Sequence, residues 1–272
     1  MNIFKFEIKR GLKSLLYWSV GISLVIIVFM SLFPSMESLG MKDLLSGKLE
    51  GLPTNMLEAF NISSGTDFSN ISDYLAYTIQ YVVMASAIYG SILGVSSIIE
   101  EESEGTIEFL YSKPVSRMKL LWSKILSRST IFMLYVLIVY VITIGISLVV
   151  KPAQVDTMNM INDITLILIG LGLVGYIFMA VGILISTLLK RGKAATSIGL
   201  SLFFFTYVLG IISKLKDNFE FAKYFSPYDW FLPSNAIGDG FEVKYIIIGI
   251  VIIFISLLSA SYIYKSKDMN IN

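Results

Sequence analysis

The chain has 272 residues, of which 55% are hydrophobic and only 15% are charged, and its formal net charge is +1. Average soluble domains carry about a quarter charged residues, so this composition is typical of membrane proteins, and the near-neutral balance gives no support for a nucleic-acid partner. Cysteine and histidine are both absent from the sequence. Disulfides, thiolate metal sites and histidine chemistry are therefore excluded, and we expect no catalytic residue, no metal and no cofactor on this chain.

Six long apolar runs dominate the sequence. A hydrocarbon core about 30 Å thick needs about 20 helical residues to cross, and lipid offers no partner to open backbone groups. We therefore predict an all-α polytopic membrane protein, a single transmembrane domain over 1–272 with six transmembrane helices. The predicted spans lie at about 14–36, 74–99, 125–150, 164–189, 194–213 and 245–264.

Residues 1–13 precede the first span and carry two parallel rows at helical spacing. The rows are Phe4, Ile8 and Leu12, and Lys5, Lys9 and Lys13. An apolar stripe beside a lysine stripe predicts an N-terminal interfacial helix, while a plain positive flank that only sets topology is the alternative. The apolar run that follows is longer than a signal-peptide core and lacks a small-residue cleavage site, so we expect it to be retained.

Lysine and arginine set the expected orientation. With the N-terminus inside, 14 of the 21 basic residues and only 7 of the 20 acidic residues fall in inside segments. Positive residues favour the cytoplasmic side, so both termini are predicted to be cytoplasmic. Residues 37–73 then form an outside segment, either a cap over the spans or a gate that contacts substrate.

Small residues recur in the second span, where Ser86, Gly90 and Gly94 are spaced by four. Such a row lets another helix approach closely, and it favours packing within the subunit over packing between subunits. A different pattern marks the outside segment 214–244, which contains Pro227, Tyr228, Trp230 and Pro233. Aromatic residues favour the membrane interface, so this segment is either a pair of short re-entrant helices or a surface loop with an aromatic belt.

The central loop at 100–124 has the sequence EEESEGTIEFLYSKPVSRMKLLWSK. Its glutamates at 100, 104 and 108 share one helical face, which predicts that the second span continues into the cytosol. Gly105 permits a bend, Pro114 disfavours helix at the residue before it, and Ser116 is positioned to cap the next helix. An apolar cluster framed by both signs of charge predicts a protein interface, although a solvated loop is the alternative.

The uncharged parts of the spans exclude several functions. Proton relays and ion-coupled transporters usually keep charged residues there, although carbonyl-only Na⁺ sites exist, so a secondary transporter is disfavoured and not excluded. The nearest approach to a phosphate-binding loop, Gly192-Lys193-Ala194, lacks the upstream glycine and the hydroxyl. The energy for transport of a substrate against its gradient would therefore come from a partner protein, and the central loop is the expected binding site for that partner.

The central loop resembles the signature of type 2 permease subunits of ATP-binding-cassette exporters. That signature is an acidic stretch, then G-T-(apolar)-E-x-L, a turn of the form S/K-P-(V/I)-S-R and a basic helix ending in G/S-K. The matching positions are Glu101, Glu104, Gly105, Thr106, Ile107, Glu108, Leu110, Lys113, Pro114, Val115, Ser116, Arg117, Ser123 and Lys124. Supporting features are the six spans, the segment after the first span, and Ser226-Pro227-Tyr228 before the last.

The resemblance implies that two six-span subunits, identical or homologous, pair with each other. The absence of cysteine and the many lysine, isoleucine and asparagine residues favour the plasma membrane of a bacterium. Each six-span subunit would dock a cytosolic ATPase subunit, which binds ATP and Mg²⁺, through the loop after its second span. Residues 105–111, ending at Tyr111, would form the coupling helix, and residues 218–240 would correspond to short re-entrant helices. The rim contacts would be Glu101, Glu104, Glu108 and Arg117.

Cargo is not encoded in the loop motif. Small outside segments and apolar spans favour an amphiphilic cargo such as a peptide, an antibiotic or a lipid. A non-transporting membrane sensor or immunity protein is the alternative function, because the spans alone would serve it equally well. The two differ in the loop, since a permease predicts loss of ATPase coupling on substitution of Gly105 or Glu108.

Overall fold

A computed structural model describes residues 3–38, 57, 61–62, 66–104, 116–189, 192–215, 217–237 and 240–266. This part of the chain contains helices and no β-strand. The α-helices are α1 (Ile3–Ser31), α2 (Phe33–Ser38), α3 (Ile71–Glu104), α4 (Arg117–Val150), α5 (Thr157–Leu188), α6 (Ala195–Leu215), α7 (Pro227–Trp230), α8 (Pro233–Ala236) and α9 (Val243–Ser266). Two 3₁₀ segments, Gly192–Ala194 and Asp217–Phe225, precede α6 and α7 respectively.

Six helical stretches in the described residues are long and apolar enough to cross a membrane, which confirms the predicted number. They are α1 with the start of α2, then α3, α4, α5, α6 and α9. Several helices extend beyond the apolar runs, because polar residues at their ends cap or continue the helix outside the apolar part. Ser116 caps α4 by accepting a hydrogen bond from the Lys119 N–H, and Asp156 caps α5 by accepting one from the Met158 N–H.

The N-terminal segment and the first span form one continuous helix. The predicted interfacial helix over 1–13 is the first part of α1, which runs from Ile3 to Ser31 without a break. The lysine row at 5, 9 and 13 is exposed, whereas Ile3, Glu7 and Gly11 on another face are buried. This buried face packs against the beginning of α4.

Helices α3 and α5 form the centre of the bundle. About 72% of the apolar window of α3 and 67% of that of α5 are buried, against 17–28% for the other four spans. The remaining spans pack around this pair, with α6 against α3, α9 against α5, and α1 against α4. The core is therefore built from two helices that are apolar on nearly all sides, as expected for the interior of a bundle.

Candidate functional site

The end of the bundle where α3 finishes and α4 begins is here called the proximal end. Glu101 and Glu104 belong to the last turn of α3, and Arg117 is the exposed first residue of α4. These three are the predicted ATPase-docking positions that fall within described helices. The others lie outside the described residues: Gly105, Thr106, Ile107, Glu108, Leu110, Tyr111 and Pro114.

Three charged side chains are buried together at the proximal end. Glu7 of α1 is 1% exposed, and its two carboxylate oxygens lie 3.9 Å from Lys124 Nζ and 3.8 Å from an Arg128 guanidinium nitrogen. Both cations belong to α4 and are also buried. Lys124 Nζ in addition donates a hydrogen bond of 3.0 Å to the Ser97 carbonyl oxygen of α3. We call Glu7, Lys124 and Arg128 the proximal charge cluster.

The proximal charge cluster connects three helices where the α3–α4 connection leaves the bundle. A buried charge is costly unless it is paired, so Glu7 is held where it faces both cations. Close packing strengthens this arrangement, because a Cβ on Gly11 would overlap the Ile131 side chain of α4. The start of α4 is therefore in direct contact with α1 and with the end of α3.

The sequence reasoning missed this cluster. It counted Lys124 and Arg128 as charges that set topology and gave Glu7 no role. Two signals in the sequence point to the site. Glu7 is the single acidic residue among the N-terminal basic residues, and it precedes the small residue Gly11 by one helical turn.

The small-residue row of the second span lies at the contact between α3 and α5. A Cβ on Gly90 would overlap the Gly175 carbonyl oxygen, and one on Gly94 would overlap the Met179 carbonyl oxygen. Ser86 is also buried, and its hydroxyl lies 2.8 Å from the Tyr135 hydroxyl of α4. The backbones of α3 and α5 thus touch within one subunit at these glycines.

The opposite end of the bundle, where α3 begins, is here called the distal end. Pro227, Tyr228, Trp230 and Pro233, the residues predicted for the re-entrant segment, are all buried there in or beside α7 and α8. Trp230 stacks on Tyr245 of α9 with ring centroids 5.6 Å apart, and its Nε1 donates to the Lys223 carbonyl oxygen at 2.7 Å. The segment is therefore packed onto the bundle as a folded unit.

A buried carboxylate anchors the distal segment. Asp229 is 3% exposed and accepts hydrogen bonds of 2.5 Å from Lys214 Nζ and from the Ser226 hydroxyl. Lys214, in the last turn of α6, also donates to Asn61 Oδ1 at 2.5 Å. This network joins α6, α7 and the residues before α3.

Tyr228 fills the space between α6 and α3 beside this network. It packs edge-on against Phe203 and Tyr207, and its hydroxyl donates to the Gln80 carbonyl oxygen at 3.4 Å. Burial raises the pKa of the Tyr228 phenol well above its ordinary value of 10.0, and neighbouring Tyr207 and Asp229 raise it further. The phenol is therefore a neutral donor over the physiological range of pH.

Comparison with known families agrees with this architecture of six apolar helices. A family model described as ABC-2 family transporter protein matches residues 1–269. The chain belongs to the ABC-2 family of transporter proteins. This ABC-2 chain is also similar to the "Uncharacterized membrane protein YdbK" of Bacillus subtilis (strain 168), with 28% identity over 162 residues. That alignment covers 58% of this chain and 64% of the relative, so it spans less than two thirds of the relative's length.

Family membership identifies the chain as a multi-pass membrane protein of the ABC transporter permease type. Such a subunit is the membrane component of a transporter and is typically not itself catalytic. Within the part of the chain that the structure describes, no group of three or more carboxylates could hold a metal ion.

Proposed function

We propose that this ABC-2 chain is the membrane subunit of an ATP-driven exporter and that it docks a separate cytosolic ATPase through the loop at 100–124. The ATPase, an ATP-binding-cassette subunit, binds ATP and Mg²⁺. Two permease subunits, identical or homologous, enclose the translocation path between them. Force enters at the coupling helix, with Glu101, Glu104, Glu108 and Arg117 at its rim.

The proximal charge cluster is the observation that carries this proposal. Both ends of the central loop continue into long helices, since α3 ends at Glu104 and α4 begins at Arg117. Lys124 links α4 to Ser97 of α3, and Glu7 links α1 to α4. A displacement at the loop is therefore transmitted to three spans, which is the mechanical requirement for coupling an ATPase to a transmembrane path.

The charge distribution and the family support the other parts of the proposal. The excess of lysine and arginine favours a cytoplasmic position for the proximal end, with both termini inside. We place the chain in the plasma membrane of a bacterium, in keeping with its similarity to a Bacillus subtilis membrane protein. An amphiphilic peptide, antibiotic or lipid is the proposed cargo, because the peripheral spans expose long apolar faces.

Co-purification from native membranes tests the proposal. Tagged wild type is compared with Glu108→Lys, and Glu242→Lys serves as the control because it makes the same charge reversal at an exposed site. The Glu242 side chain is 55% exposed and lies just before α9, at the distal end. We expect an ATPase-sized protein to accompany wild type and Glu242→Lys, and its ATP hydrolysis to fall in Glu108→Lys.

Two outcomes would count against this function. If wild type is recovered without an ATPase under mild detergent conditions, coupling through the central loop is wrong, and the membrane sensor or immunity protein becomes the better hypothesis. If Glu108→Lys and Glu242→Lys reduce ATP hydrolysis equally, the effect is not specific to the loop. Insertion of each variant is checked by its yield in the membrane fraction.

A further inference from the structure

A small polar cavity of about 160 Å³ opens at the distal end, between the start of α3 and α8. Its polar lining consists of Asn61, Thr66, Asp73, Tyr77, Gln80 and Ser234. An enclosed space of about this size holds a group of roughly six heavy atoms, as the binding of benzene to an engineered cavity of about 150 Å³ illustrates. The cavity is separate from the central loop and from the proximal charge cluster.

A chain of hydrogen bonds orients one donor of this cavity. The Lys214 ammonium group has donors only, so the Asn61 side-chain oxygen must face it, at 2.5 Å. The Asn61 amide nitrogen consequently faces Gln80 and donates to Gln80 Oε1 at 3.0 Å. Gln80 Nε2 is then directed away from Asn61, and it has no hydrogen-bond partner among the described residues although Gln80 is only 4% exposed.

A buried amide donor without a partner is unfavourable, so this nitrogen favours a ligand that carries an acceptor oxygen. Gln80 lines the cavity, and the cavity is the open space beside it. The position of the acceptor is thus determined by Lys214, two hydrogen bonds away.

The charge of the cavity lining favours a second group on the ligand, beside the acceptor oxygen. Asp73 contributes the single formal charge among the described lining residues, and its side chain is half-buried. One oxygen, Oδ2, accepts a hydrogen bond of 2.9 Å from the Asp67 N–H, which holds the carboxylate in place. The negative charge of Asp73 favours a cationic group over an anionic one. Tyr77 and Ser234 add hydroxyls that accept as well as donate.

We propose that this cavity binds a primary ammonium group that lies next to an acceptor oxygen. The ammonium contacts Asp73, and the oxygen accepts from Gln80 Nε2. The ethanolamine phosphate of a lipid head group offers this chemistry, and head groups surround the ends of a bundle of membrane-spanning helices. Binding at this cavity is measured on the permease chain without an ATPase and without nucleotide. The test therefore does not depend on whether the chain is coupled to an ATPase.

Calorimetric titration of the full chain in phosphatidylcholine nanodiscs tests the proposal. The probes are sn-glycero-3-phosphoethanolamine and L-lysinamide, with sn-glycero-3-phosphocholine as the matched probe that has no N–H donor. We expect the ethanolamine probe to saturate and the choline and lysinamide probes to bind at least tenfold more weakly. Preference for lysinamide would overturn the assignment to a lipid head group.

Three variants connect the binding to the cavity. Asp73→Asn removes the charge, Gln80→Met removes the free donor at similar side-chain size and adds no charge, and Ser234→Leu fills the space without removing a buried polar group. Each should weaken binding at least tenfold, while Glu242→Gln, which removes an exposed charge at the same end, should leave it unchanged. Ser234→Leu remains decisive if either buried variant fails to fold.

The proposal is overturned if neither probe saturates, since the cavity then holds water only. It is also overturned if the choline probe binds as well as the ethanolamine probe, or if Asp73→Asn and Ser234→Leu bind like the wild type.

Discussion

Replacement of Glu7 by Gln tests the proximal charge cluster most directly, because the substitution retains the shape of the side chain and removes its charge. Lys124 and Arg128 then stay buried without the Glu7 carboxylate that pairs with both of them. Two unit charges about 4 Å apart attract by about 4 kcal/mol at an effective dielectric constant of 20, so the two contacts amount to about 8 kcal/mol before desolvation is subtracted.

Desolvation of the three groups offsets much of that attraction, and removal of one partner from a buried pair typically costs about 3–5 kcal/mol. Lys124 keeps its hydrogen bond to the Ser97 carbonyl oxygen in the variant, which relieves part of the loss. We therefore expect Glu7→Gln to lower the free energy of unfolding by about 3 kcal/mol. Lys9→Gln, an exposed charge on the same helix, should change it by less than about 0.5 kcal/mol.

Unfolding in bicelles by sodium dodecyl sulfate, followed by tryptophan fluorescence, measures these differences. The fluorescence of Trp18 in α1 reports on the packing of α1 in the bundle, since the Trp18 ring stacks on Tyr89 of α3 with centroids 4.9 Å apart. A double-mutant cycle of Glu7→Gln and Arg128→Gln should give a coupling energy of at least about 1 kcal/mol. Losses that simply add, or equal small losses in Glu7→Gln and Lys9→Gln, would refute the reasoning.

Three further predictions concern the rest of the bundle. Gly94→Ala places a methyl group against the Met179 carbonyl oxygen and should lower the thermal unfolding midpoint by an amount equivalent to about 1–3 kcal/mol. Gly145→Ala should not lower the midpoint, because nothing lies within 4 Å of a Cβ at that position. Equal effects of the two variants would contradict the packing of α3 on α5. Asp229→Asn leaves Lys214 without its carboxylate, so it should lower the free energy of unfolding by about 2–4 kcal/mol and increase amide hydrogen exchange in α7. Glu242→Gln should lower the free energy of unfolding by less than about 1 kcal/mol. Unaltered exchange in α7 would count against the Lys214–Asp229 network. The pKa of Tyr228 is raised in the folded chain, so unfolded chains lose this proton near pH 10 while folded chains keep it, and the free energy of unfolding falls as pH rises above about 10. Tyr228→Phe should therefore show a shallower fall in the free energy of unfolding when denaturation is measured between pH 9 and 11. Identical slopes in the variant and the wild type would argue against this role of Tyr228.

The number and approximate position of the spans could be predicted from sequence, because a helix must be apolar along about 20 residues to cross lipid. The helix ends could not, since apolar runs identify only the part of a helix that suits the hydrocarbon. Helix α5 begins at Thr157, seven residues before the predicted span, because Asp156 caps it there. The start of helix α4 at Arg117 is the exception, because Ser116 is its cap, as the sequence predicts.

The charge clusters lay beyond the sequence reasoning for a different reason. Glu7 and Lys124 are more than 100 residues apart, and no periodicity relates positions in α1 to positions in α4. Lys214, which is predicted to lie in an outside segment, belongs to the last turn of α6 and pairs with Asp229. Pairings between helices depend on which spans are neighbours, and one sequence without its relatives does not contain that information.

The pairing of α1 with α4 also affects the order in which the helices can pack during synthesis. A ribosome that adds about 5–20 residues per second reaches Arg128 roughly 6–24 s after it has added Glu7. Throughout that interval the first helix is already made but the helix that neutralises its carboxylate is not. The nascent chain must therefore keep Glu7 in contact with water or lipid head groups, and the final burial of α1 has to wait for the third span.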